Sequence, residues 1–170
     1  MIKPRTKTVT LTFKREELLY DCKNLGYVEG DVMRTQDEHD RHQVMDIGED
    51  GNVDRVTRIL DLGIAHCVEL LYPYSKVPVE DETYMDDTLE DTDEYIVQLL
   101  VPDDFSQTTV TLLERLIHEL LVDMVMADWM SITKPESKAN WQEKIEQVET
   151  EIRTNLNGRC GRVRRTQTPF

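Results

Sequence analysis

His39 and His42 are the first residues whose types and spacing suggest chemistry, lying in the segment EHDRHQ beside Glu38 and Asp40. Two imidazoles three residues apart, with carboxylates nearby, offer nitrogen and oxygen ligands to a divalent metal ion. No third ligand accompanies them on a firm element, and their surroundings are polar, so a solvated turn is the simpler expectation. Glu114, Glu119, Asp123 and Asp128 form a second set. Carboxylates on a bundle helix can hold Mg²⁺ or iron when they repeat as Glu-x-x-Glu or Glu-x-x-His on inward faces. Here the gaps are five, four and five residues, which do not keep one face. A solvated or interface stripe is expected instead. His118-Glu119 lacks the second histidine of a HExxH motif.

The run at 80–94 holds nine acids and no base, but not the D-x-D-x-D-G spacing of a calcium loop. It reads either as a solvated loop or as an acidic surface for a basic partner. No GxSxG, GxGxxG, phosphate-loop or zinc-ribbon pattern is present. The expectation is a chain without catalytic residues, cofactor, metal or small-molecule substrate.

The strongest chemical signal is instead a contrast of charge. Residues 158–170 read GRCGRVRRTQTPF, with Arg159, Arg162, Arg164 and Arg165 and no acid. Of 20 lysines and arginines, the other 16 face all 34 acids in residues 1–157, a net of −18. Guanidinium groups pair with carboxylates or phosphates in bidentate geometry. Val163, Pro169 and Phe170 add apolar anchors, an odd choice for a free solubilising tail. These residues are the expected protein interface, and a basic arm on an acidic body suits head-to-tail assembly. The formal charge of −14 for the whole chain opposes wrapping by nucleic acid or binding to anionic lipid.

The elements that must carry these groups follow from periodicity. Residues 7–13 alternate, with Val9, Leu11 and Phe13 on one side and threonines on the other, a half-buried strand. Residues 14–33 have helical spacing, weakened by Gly26 and Gly30. Residues 36–52 read as a loop pinned by Val44, Met45 and Ile47. A helix over 53–72 follows, with Asn52 as its N-cap, Asp54 in its first turn and Pro73 as its stop. Residues 95–101 read as a strand covered on both faces, paired with the first. Residues 106–132 are apolar around most of a helix, the sign of a central helix. Thr133-Lys134-Pro135-Glu136 matches a capping box. The last helix carries the narrow stripe Trp141, Ile145, Val148, Ile152 and Leu156, and Gly158 closes it. Trp129 and Trp141 flank the turn between the last two helices and are expected to brace it.

The expected fold is therefore mainly α: a four-helix bundle-like body over 1–157 with a small β-sheet and an acidic loop at 77–94. The basic arm at 158–170 extends from it. Cys22, Cys67 and Cys160 are odd in number and far apart, which fits a reducing compartment. No signal peptide is expected at residues 1–5, and residues 110–132 carry too many charges to span a membrane.

The segment at 127–170 resembles the C-termini of small virion proteins of tailed phages, particularly the crAss-like phages. The shared features are Trp129 before a turn, a lysine-rich helix start, Trp141, and a basic tail closing on Pro169-Phe170. The segment DEHDRHQVMDIGEDGNVDRV, at 37–56, is similar to the same group. The helical layout resembles head-to-tail connector, or neck, proteins, which form rings below the portal and dock by extended arms. The resemblance implies a homo-oligomeric ring in the virion neck, made in the host cytoplasm. Its neighbours are then portal, tail or adjacent ring proteins, and DNA passes without specific binding. An adaptor or regulator whose arm binds nucleic acid or an acidic protein is the alternative. A metal-dependent hydrolase using His39, His42 or the helix carboxylates is the third reading.

Overall fold

The computed structural model describes residues 6–34, 37–77 and 92–157. The element order is β1 (Thr6–Lys14), α1 (Arg15–Val32), α2 (Glu38–Met45), a 3-10 turn (Asp46–Gly48), α3 (Asp50–Leu70), β2 (Glu94–Pro102), α4 (Gln107–Thr133) and α5 (Pro135–Asn157). The mainly α fold with a small sheet is as the periodicities indicate.

β1 and β2 pair antiparallel, with Thr12 opposite Ile96 and Thr8 opposite Leu100. One face of this ribbon carries Leu11, Phe13, Tyr95, Val97, Leu99 and Val101, all buried. That face alone supplies a reason for the ribbon to stay folded, because two strands by themselves are marginal in water. The other face is open: Ile96 is 56% and Leu100 53% exposed. The reading of β2 as covered on both faces is thus corrected. Its exposed apolar residues mimic the pattern of a doubly buried strand.

α4 is the central element. From Leu120 to Met130 nearly every side chain is buried, including Leu121, Val122, Val125 and Met126. α5 folds back on it, burying Trp141, Ile152 and Leu156. The turn differs from the expected capping box. Lys134 stands between the helices, Pro135 opens α5, and the Thr133 hydroxyl donates back to the Trp129 carbonyl at 3.0 Å.

The segment expected to be a loop at 36–52 contains α2 and the 3-10 turn, which brings the α-helices among the described residues to five. Asp37 caps α2 by accepting from the His39 N–H at 2.9 Å. A two-turn helix is unstable alone, and here Val44 and Ile47 anchor it in the core. The two glycines of α1 explain how it gets that close. A β-carbon on Gly26 would lie 2.9 Å from Ile47 Cγ2 and 3.2 Å from the Val44 carbonyl. One on Gly30 would lie 2.6 Å from Met45 Cγ. α1 runs through both glycines, so they serve close packing rather than a break. Asn52 sits inside α3, not at its cap, and its side-chain amide donates to the Asp46 carbonyl at 2.7 Å.

Candidate functional site

A surface rich in polar groups lies where β1, α1 and α4 meet. Glu17, Tyr20 and Asp21 share one face of α1, at i, i+3 and i+4. Glu114, Arg115 and His118 occupy the facing turns of α4. Together with Thr12 they line two adjoining open grooves. His118 Nε2 and Asp21 Oδ2 lie 2.7 Å apart, which ties α4 to α1. Four carboxylates border the grooves, those of Glu16, Glu17, Asp21 and Glu114, against one guanidinium, Arg115. The surface is acidic and shallow, and fits an extended basic segment better than a small molecule.

Polar contacts elsewhere also link the helices. Arg55 on α3 reaches Asp128 on α4 at 2.8 Å, and Lys134 reaches Glu29 on α1 at 2.8 Å. His66 on α3 and Arg153 both meet the Glu149 carboxylate on α5, at 2.8 and 3.1 Å.

The carboxylates singled out on α4 part company in the fold. Glu114 and Glu119 are exposed, and Asp128 pairs with Arg55. Asp123, expected on a solvated or interface stripe, is only 1% exposed. Its Oδ1 has no hydrogen-bond partner among the described residues. Burial pushes its carboxyl up to about 6, Glu119 adds to the rise, and Lys144 opposes it. Burial likewise pushes the thiols of Cys22 and Cys67 up to about 12, so both are inert core groups.

His39 and His42 are exposed on α2, and His39 Nε2 lies 3.0 Å from Gln43 Nε2. Among the described residues no three His, Cys, Asp or Glu side chains converge to hold a metal ion. No helix among them is long and apolar enough to cross a membrane. Trp129 and Trp141 are buried on either side of the α4–α5 turn. Trp129 also donates its Nε1–H to the Val44 carbonyl at 3.0 Å, and the Lys144 ammonium lies 3.9 Å from the centre of the Trp141 ring. Arg159, Arg162, Val163, Arg164, Arg165, Pro169 and Phe170 lie outside the described residues, as does the acidic run up to residue 91.

The Asp21–His118 contact had no signal in the sequence, since 97 residues separate the two. The Arg153–Glu149 pair did, through its i,i+4 spacing. No family model matches the chain, and no curated protein or solved structure matches it.

Proposed function

We propose that this chain is a structural assembly protein, a subunit of a head-to-tail connector ring in the neck of a tailed phage. Copies associate through the basic arm at 158–170, and the ring meets portal, tail or neighbouring ring proteins. The role is mechanical rather than catalytic. The observation that carries the reading is the separation of charge: four arginines and no acid in the arm, against a body of net −18. An acidic groove on the body supports it, because an extended arginine-bearing segment complements such a surface. An acidic wall also suits a channel through which DNA slides without being held.

The test is native mass measurement of the full chain and of a version ending at residue 157. A ring or oligomer that the truncation dissolves supports the proposal. Oligomers of equal size from both chains overturn the role of the arm. Monomers that stay monomeric beside portal protein overturn the connector reading.

A further inference from the structure

The hydrogen-bond phase of the ribbon shows which backbone groups of β1 are free. Arg15 N–H donates to the Asp93 carbonyl at 3.0 Å, extending the β1–β2 ladder by one pair. Hydrogen-bonded pairs alternate in an antiparallel ladder. The odd residues of β1 therefore bond β2, and the even ones turn their N–H and C=O groups the other way. A second observation agrees: Leu100, an even residue of β2, donates across the far edge to the Tyr74 carbonyl at 2.7 Å. On β1 the outward set is Thr6, Thr8, Thr10 and Thr12, whose side chains are also exposed. No described residue bonds these backbone groups.

An open edge of this kind is a template for another strand. Of the usual protection β1 carries only the lysines at its ends, Lys7 and Lys14, with no proline or bulge within its nine residues. Lys7, one of its two flanking charges, is engaged with the Phe105 carbonyl at 3.2 Å. At the Thr12 end the edge opens onto the groove bordered by Glu17 and Glu114.

We infer that the free edge of β1 receives the C-terminal arm of a second copy as an added strand. This rests on the assembly reading above and names the surface on which the arm docks. The span from Thr6 to Thr12 is roughly 20 Å at about 3.4 Å per residue. The thirteen residues of the arm reach about 45 Å when extended, enough for a linker and a strand. Within it, RVRRTQT holds no proline, and as a strand it would put Arg162 and Arg164 on one face. In that placement the face would meet the carboxylates of Glu17 and Glu114, in competition with Arg115 and with Lys14, which lies 3.9 Å from Glu17.

The geometry favours a second copy over the same chain. α5 returns antiparallel along α4, so it ends beside the start of α4, near the Thr6 end of β1. An arm that followed β1 directly from there in its own chain would run parallel to it, the less stable pairing. An arm from another copy can lie antiparallel, the more stable pairing.

Disulfide trapping in the full-length chain tests this. A Cys160→Ser, Val163→Cys background places one thiol in the arm, while Cys22 and Cys67 stay buried. Thr8→Cys, Thr10→Cys and Thr12→Cys are then introduced singly and oxidised. Covalent dimers and longer chains, absent without the β1 cysteine, are expected for at least one position. Cross-links only within one chain, or none at all, overturn the inference.

Thr10→Pro gives a second readout. It removes an outward N–H and no ladder bond, and should weaken self-association about tenfold or more with the helical signal unchanged. Should Thr10→Pro unfold the chain, the cross-links alone decide. An oligomer lost with the arm but untouched by Thr10→Pro, and without cross-links, sinks the edge proposal and spares the assembly reading. An oligomer indifferent to the arm, or a chain that never associates, sinks both.

Discussion

His118 on α4 and Asp21 on α1 meet at 2.7 Å, although 97 residues separate them. The contact is partly exposed, with the two side chains 26% and 44% accessible, so it acts as a strut more than as a core bond. It fixes the wall of the acidic groove beside the free edge of β1. Replacing either partner is expected to cost about 1 kcal/mol in urea unfolding. A double-mutant cycle with Asp21→Asn and His118→Gln should return a coupling of similar size. Additive effects would show that the two groups do not cooperate.

Asp123 should make stability depend on pH. Its folded carboxyl titrates at about 6, above the ordinary value of 3.8. The native state therefore holds the proton more tightly than the unfolded chain. The stabilisation is fully present below about 3.8 and is lost as pH rises through about 6. Asp123→Asn should flatten the fall between these values and raise stability at pH 8 by at most about 3 kcal/mol. Chemical denaturation at several pH values measures both; an unchanged slope in the variant would assign the dependence to other groups.

Gly26→Ala should destabilise, against its helix propensity. Alanine is favoured in a helix interior by about 1 kcal/mol, but here its β-carbon would meet Ile47 Cγ2 at 2.9 Å and the Val44 carbonyl at 3.2 Å. Overpacking of this kind costs about 1–3 kcal/mol. A net loss of stability is expected, with α2 displaced from α1. A gain in melting temperature would show that α2 yields at little cost.

Trp129→Phe should loosen α2 in particular. It keeps most of the ring but removes the Nε1–H donor to the Val44 carbonyl. A buried acceptor left unsatisfied costs about 1–3 kcal/mol. Hydrogen exchange should quicken over residues 38–45 before it changes in α4. Equal protection across α2 in both proteins would refute the anchoring role.

Much of the fold was readable because it rests on local repetition. The threonine alternation of β1, the broad apolar surface of α4 and the one-sided stripe of α5 each declare an element and its buried face. α2 escaped because a two-turn helix has too short a period to detect, and its stability comes from Val44 and Ile47 in a core built by other segments. β2 misled because Ile96 and Leu100 are apolar yet exposed. Hydropathy records a residue's type and not its cover.

The same division runs through the candidate site. The sequence by itself determined the charge contrast between arm and body, since charge is a sum over residues and needs no coordinates. It also determined that β1 is a strand with threonines on one side. Only the tertiary structure decided which edge of β1 is free, because that depends on the phase of a ladder pairing Lys14 with Glu94. It alone placed Glu114 and His118 of α4 beside Glu17 and Asp21 of α1. It also moved Asp123 from a surface stripe into the core. Such juxtapositions are products of long-range packing, in which contacts distant in the chain outweigh local preference.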